Sequence, residues 1–238
     1  MFFKFKKILS IFFPSKCLSC FSYTKNQELL CNNCLQNLTI HHDFLCIKCH
    51  QTIDIFQATV CCKSSDSELS LFLYCLNYQN KIVKEIVHQF KYQRLLALES
   101  TFRIILKQSL KHYKKYFKKH EYIIVPVPLN IQRKRIRGFN QSEIIAKLIS
   151  NILHIPYYPN ILIRYKNNPP QANIENQTQR IQNVKNIFKI NPKQIKFLKN
   201  KNIILIDDVF TTGSTLNECA KILKQYKVKN ILIICLAH

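Results

Sequence analysis

Residues 202–215 read NIILIDDVFTTGST: an apolar run, two adjacent acids, a hydroxyl-rich loop and the start of a helical pattern. A short run without a polar side chain suits a strand covered on both faces. The loop offers successive backbone N–H groups together with Thr211, Thr212, Ser214 and Thr215 at a helix start, a set fit for a phosphate. Gly213 is one of only two glycines in the chain, so its place here points to a backbone conformation or a close ligand approach that a side chain would block. Asp207 and Asp208, directly ahead of an anion pocket, make sense if they address hydroxyls or a metal ion. Ribose hydroxyls and Mg²⁺ meet that requirement, and the stretch reads as a ribose 5-phosphate site. The structural alternative is a strand-end turn capped by Thr215 and Glu218.

Outward from this stretch, strands and helices alternate. Residues 69–78 (LSLFLYCLNY) read as a strand, and a helix from Asn80 to Tyr92 carries Ile82, Val83, Ile86, Val87 and Phe90 on one face. Residues 98–118 continue a helical pattern into a Lys/Tyr/Phe-rich run, and EYIIVPVPL (121–129) is a buried strand closed by two prolines that force a loop. Asn140 with Glu143 resembles a capping box for a helix through Leu153. Residues 164–180 form the longest candidate mobile loop, and 230–236 (NILIICL) the last strand. Apolar strands separated by helices predict an α/β fold with a parallel sheet flanked by helices, whose ligands sit beyond the carboxyl ends of the strands.

The chain has 238 residues, 36 Lys+Arg and 13 Asp+Glu, so its formal charge is 36 − 13 = +23. A Lys- and Asn-rich composition of the kind an AT-rich genome produces exchanges Arg for Lys without changing charge, so the shortage of acids is an electrostatic property. Such a field recruits phosphates, nucleic acid or anionic lipid, with binding that weakens in salt. At 47% hydrophobic residues the chain builds a core, and no apolar run reaches the length of a membrane span.

Eleven cysteines, an odd number, open with three CxxC pairs: Cys17/Cys20, Cys31/Cys34 and Cys46/Cys49. The first residues are basic and apolar but broken by Lys6, Lys7 and Pro14 and lack a small-residue cleavage site, which places the chain in a reducing cytosol. Cys17, Cys20, Cys31 and Cys34 make a four-thiolate zinc set from two facing knuckles. Cys46 and Cys49 open a second set, but Cys61 and Cys62 are adjacent. That site uses Cys61 or Cys62 with His50, is incomplete, or interleaves the first knuckle with the third. Zinc here is structural, replacing a core that the segment is too small to build. Residues 1–15 form a basic amphipathic leader that suits either an anionic membrane surface or the body of the protein. Residues 16–66 form the zinc-knuckle module and 67–238 the main domain.

LIDDVFTTGST resembles the phosphoribosyl pyrophosphate (PRPP) signature of type I phosphoribosyltransferases. With PVPL (126–129), RGFNQ (137–141), the stretch from Gln171 through Arg180 and Asn183 to Phe188, the final LAH and the CxxC leader, the chain resembles the ComF family of competence proteins from Cys17 onward. The resemblance implies a phosphoribosyltransferase-like sheet behind a zinc-ribbon-like module. It also implies that Asp207 and Asp208 bind the ribose hydroxyls with or through Mg²⁺, and that Thr211, Thr212, Gly213, Ser214 and Thr215 hold the 5-phosphate. Lys134 and Arg137, after the strand ending near Val127, fall on the pyrophosphate side, and Arg180 in the covering loop is a candidate transition-state partner. A basic surface turn is the plain alternative for Lys134, Arg135 and Arg137.

Two functions follow. One is a PRPP-responsive protein that handles incoming single-stranded DNA at the cytoplasmic side of the inner membrane, in peripheral contact with the membrane or the uptake machinery. The other is an enzyme that transfers phosphoribose to an unidentified base or amine. Aromatic residues interleaved with lysine at Tyr113 to Lys119 suit a single strand. His88, His112, His120 and His154 read as surface or packing residues.

Overall fold

The apolar runs become the strands of one sheet. In a computed structural model of the chain, the described residues are 16–24, 28–55, 71–92, 95–117, 121–166 and 186–238. Helix α1 spans Asn32–Gln36, β1 Phe44–Cys46, β2 Thr52–Ile53 and β3 Leu71–Leu76. Then follow α2 (Lys81–Tyr92), α3 (Leu95–Leu110), β4 (Tyr122–Pro126), α4 (Ile131–Arg137) and α5 (Gln141–Leu153). The chain ends with β5 (Leu162–Arg164), β6 (Phe188–Ile190), a 3-10 turn (Pro192–Phe197), β7 (Asn202–Val209), α6 (Ser214–Lys224) and β8 (Ile231–Ala237).

The main sheet has the order β2-β1-β3-β8-β7-β4. Strands β3, β8, β7 and β4 run parallel, with Leu73 opposite Ile234, Ile204 opposite Leu232, and Ile124 opposite Ile204. Alternate residues of the same strand feed two cores. Ile204, Ile206, Leu232 and Ile234 pack with residues of α2, α3 and α5. Ile203, Leu205, Ile231 and Ile233 pack with α6 and with the antiparallel ribbon of β5 and β6. Two buried faces explain why these strands show no polar alternation.

The structure differs from expectation in three places. Residues 44–53, read as part of the cysteine-rich module, form a hairpin that adds to the main sheet, since β1 pairs antiparallel with β3 through Leu45–Phe72 and Cys46–Leu71. The helix expected through residue 118 stops at Leu110, and turns carry the chain onward. There Tyr113 donates to the carbonyl of His42 at 2.7 Å, and Phe117 packs edge-on against Tyr122, so both rings leave the helical path for the core. Finally, the loop expected after the two prolines of 126–128 is largely the helix α4, because Asn130 accepts from the amides of Gln132 and Arg133 and starts it.

Candidate functional site

Strand β7 delivers Asp207 and Asp208 to the carboxyl edge of the sheet, both half-buried. Each acid turns one oxygen back on the chain: the amide of Asp208 donates to Asp207 Oδ1 at 2.9 Å and that of Val209 to Asp208 Oδ1 at 2.8 Å. Ser142, at the start of α5, also donates to Asp207 Oδ1, at 2.9 Å. Burial, and then the neighbouring charge of Asp208, push the Asp207 carboxyl up to about 8. A pair held this way gains from anything that neutralises it, a divalent cation or a set of hydroxyl donors.

Past the acids, the loop reaches α6 through Gly213, which takes a left-handed φ of 69°. A Cβ there would also meet Phe210 Cζ at 3.0 Å, so both reasons for a glycine hold at once. The expected alternative, a helix start capped by side chains, is not what forms. The N-cap is Gly213 itself, without a side-chain cap, and Glu218 accepts from the amide of Asn186 at 2.7 Å instead. Ser214 N reaches Thr212 Oγ1 only at 3.4 Å, and Thr212 and Ser214 share a 2.9 Å hydroxyl contact. An eleven-residue helix thus opens toward the loop with nearly unspent donors and the positive end of its dipole. Thr211 is exposed and Thr215 half-buried.

Lys134 and Arg137 stand on α4 rather than on an irregular loop. Gly138, the second glycine, closes this helix with a left-handed φ of 79°. Lys134 Nζ is paired with Glu143 Oε1 of α5 at 2.8 Å, and Arg137 Nη1 donates to Gln141 Oε1 at 3.2 Å. The helix therefore presents cations beside the edge of β4, tied to α5. Arg180 lies outside the described residues, as do Cys61, Cys62, the leader 1–15 and most of the expected mobile loop.

The first cysteine set does come together. The sulfurs of Cys17, Cys20, Cys31 and Cys34 all lie within 4.8 Å of one another. Cys20 and Cys31 are 3.7 Å apart, and a tetrahedral zinc with Zn–S of about 2.3 Å sets sulfurs about 3.8 Å apart. Ser22, in contact with Cys20 at 2.9 Å, lowers that thiol to about 6, which favours the thiolate that zinc requires. The donor set fits a structural zinc, and Cys17 with Leu29 and Leu30 carries it into the core that α2, α3 and α5 share. Cys46 is buried on β1 and Cys49 exposed, and no second cluster forms among the described residues.

Three residues were not singled out from sequence, two of them in contact with the strand end or its loop. Ser142, one place beyond the RGFNQ stretch, touches Asp207. His238 Nδ1 lies 3.1 Å from the carbonyl of Phe210, inside the loop. Because that carbonyl only accepts, Nδ1 is the donor in this contact. Its ring sits among Phe210, Tyr74 and His50, with centroids at 5.1, 5.2 and 5.6 Å. Arg164, on β5, has a buried Nε without a hydrogen-bond partner among the described residues. Only the final LAH hinted at His238, and no local pattern marks the other two.

In the aromatic and lysine run expected at 113–119, Tyr113 and Phe117 are 7% and 3% exposed and so serve the core, Tyr116 is half-buried, and residues 118–119 lie outside the described residues. An open aromatic and basic surface lies elsewhere. Tyr165, 45% exposed, has Lys166 Nζ and Lys189 Nζ at 5.5 and 5.4 Å from its ring centre. It borders a groove of about 460 Å³ that reaches Tyr226 and Gln225 at the end of α6.

Residues 140–238 match the phosphoribosyl transferase domain family. The chain is 33% identical over 154 residues to competence protein F of Haemophilus influenzae, covering 64% of this chain and 66% of that protein. It is 33% identical over 144 residues to competence protein ComFC of Bacillus subtilis, covering 60% and 54%, and 27% identical to the DNA utilization protein YhgH of Escherichia coli K12, covering 64% and 66%. The matches thus span between about half and just under two thirds of these relatives. Among solved structures, an allosteric regulatory enzyme of purine biosynthesis aligns at 14% identity and TM-score 0.41, over 63% of this chain and 30% of that one. A hypoxanthine phosphoribosyltransferase of Staphylococcus aureus aligns at 16% identity and TM-score 0.35, over 63% and 69%.

Proposed function

We propose, from the premise that this chain belongs to the ComF family of competence proteins, that it binds PRPP at the end of β7 and serves natural transformation by handling incoming single-stranded DNA. Its α/β phosphoribosyltransferase-type sheet stands behind the four-cysteine cluster. In this reading residues 16–66 form the zinc-knuckle module and 67–238 the PRPP domain, with the hairpin of 44–53 joining the two.

One observation carries the PRPP reading: a half-buried acid pair and an uncapped helix start lie side by side on one loop. Acids repel phosphate and free amides attract it, so a single ligand must bring hydroxyls and a phosphate together. A phosphorylated ribose does so. Asp207 and Asp208 would address the ribose hydroxyls, and Thr211 to Thr215 the 5-phosphate. Mg²⁺ supplies charge neutralisation between PRPP and the acid pair when bound. Lys134 and Arg137 would face the pyrophosphate, whose charge density suits a basic helix.

The DNA reading is supported by the +23 charge, by the open Tyr165 surface, and by the names of the relatives, which speak of competence and of DNA utilization. No helix among the described residues is long and apolar enough to cross a membrane. The setting proposed is the cytoplasmic side of the inner membrane, where the strand arrives. A second reading, transfer of phosphoribose, is favoured by His238. Its imidazole, held against the loop through the carbonyl of Phe210, would serve as the base for an acceptor N–H. In that step the acceptor nitrogen bonds to ribose C1, the bond from C1 to the pyrophosphate oxygen breaks, and the N–H proton passes to Nε2.

Calorimetry with PRPP and Mg²⁺ tests the core of the proposal. The intact protein should bind, and a variant carrying Asp207→Asn with Asp208→Asn should not. Absence of binding by both would leave a basic scaffold whose work lies in nucleic acid contacts. Pyrophosphate release from PRPP in the presence of free bases would establish transfer.

A further inference from the structure

The last two residues of the RGFNQ stretch and the serine after it are more buried than a ligand-contacting loop: Asn140, Gln141 and Ser142 are 2%, 1% and 4% exposed, whereas Gly138 is exposed. We propose that Asn140 and Ser142 are positioning residues that couple the pyrophosphate-side segment after β4 to the ribose-side acids at the end of β7, so that the site holds intact PRPP cooperatively and its two fragments weakly. This rests on the PRPP reading above.

The hydrogen bonds close a ring. Asn140 Nδ2 donates to the carbonyl of Val127 at 2.9 Å, and the amide of Val127 donates to the carbonyl of Ile206 at 2.9 Å, one residue before Asp207. On the other side, Asn140 Oδ1 accepts from the amide of Ser142 at 3.1 Å, and Ser142 Oγ donates to Asp207 Oδ1 at 2.9 Å. Two strand ends and one helix start are thereby joined through side chains that have no room to move singly.

Capping alone does not require this. An N-cap needs only a side-chain oxygen, and Asp or Ser supplies one as well as Asn does. The amide hydrogens of Asn140, and the hydroxyl hydrogen of Ser142, are surplus to capping and go to the two halves of the site.

A second arm brings charge into the ring. Glu143 Oε1 accepts from Lys134 Nζ at 2.8 Å and from Asn140 Nδ2 at 3.4 Å. An anion that draws Lys134 away leaves Glu143 uncompensated beside Asn140, and the balance between the two acceptors of Nδ2 changes. Arrival of pyrophosphate on α4 is in this way felt at Val127, and through Ser142 at Asp207. Coupling of this kind between two subsites is typically about 5- to 150-fold.

The test uses the full chain with Mg²⁺. Ribose 5-phosphate affinity is measured by calorimetry with and without saturating pyrophosphate. In the wild type, pyrophosphate should tighten ribose 5-phosphate binding by about tenfold, within the usual range for linked sites. Ser142→Ala should bind each fragment but lose that gain, and PRPP should weaken by the same factor. Asn140→Ser keeps a cap oxygen while removing the donation to Val127, so it should fold with a lowered melting temperature, from the unpaired carbonyl, and lose the coupling. It decides the matter if Ser142→Ala folds poorly. Ser142→Thr, which keeps the hydroxyl, should restore the gain. Unchanged coupling in Asn140→Ser, or independent binding of the two fragments by the wild type, would overturn the inference while leaving the PRPP site standing. A wild type that binds neither PRPP nor its fragments would bring down both.

Discussion

Phe210 and Gly213 lock the loop between β7 and α6 together: the ring of Phe210 fills the space where a Cβ on Gly213 would stand, 3.0 Å from Cζ. The same ring stacks on Phe72 at 4.8 Å, so it cannot retreat without disturbing the sheet beneath. Gly213→Ala meets two penalties, a left-handed backbone and a contact with a ring already packed. The loss expected is about 2 kcal/mol in urea unfolding, from the left-handed conformation and overpacking together. PRPP binding should fall further than stability does, since the amides of the loop move with Gly213. A variant as stable and as tight as the wild type would count against a loop shaped for close ligand approach.

Asp207 should impose a pH dependence on the ligand-free fold. Its carboxyl, raised to about 8 by burial and by Asp208, keeps its proton in the fold at pH values where the unfolded chain has released it. The fold then binds more protons than the unfolded chain, so stability from this group is full below about pH 4 and is lost as pH rises through about 8. Asp207→Asn should therefore melt higher than the wild type at pH 9 and no higher at pH 4, while losing PRPP. Parallel melting curves at both pH values check the sign.

For zinc, one ion per chain is the outcome expected from the four sulfurs that come together, with metal released by chelation and by Cys31→Ser. Because Cys17 lies in the core shared with α2, α3 and α5, chelation should lower the melting temperature of the whole protein rather than free a loose appendage. Two ions by elemental analysis would show that Cys46 and Cys49 are also completed.

Single-strand binding separates two aromatic regions. Tyr165→Ala should weaken binding of an oligonucleotide by about 1–3 kcal/mol, the range for loss of a stacked ring, and Lys189→Ala should reduce the salt dependence. Tyr113→Phe should leave affinity alone and cost about 1 kcal/mol of stability, because its hydroxyl is spent on the carbonyl of His42. Fluorescence anisotropy at two salt concentrations measures both. Equal loss in the two variants would point to a shared structural effect.

Features encoded by short spacing were legible in the chain alone. The acids, hydroxyls and glycine of 207–215 lie within one strand end and one turn, and the Cys17 to Cys34 knuckles need only two tight turns and a return. Apolar runs likewise marked the parallel strands, because covering both faces removes polar alternation. Only the tertiary structure decided which distant groups meet: Ser142 with Asp207 across 65 residues, His238 with Phe210 across 28, and the 44–53 hairpin with β3. It also decided between readings that share one pattern. Tyr113, Tyr116 and Phe117 fall on a single helical face, which serves equally for stacking on bases or for packing inward. Phe44 and Tyr122, brought alongside from either direction in the chain, turned Tyr113 and Phe117 into core. Periodicity reports that a face is apolar; only the partners delivered by the fold say what covers it.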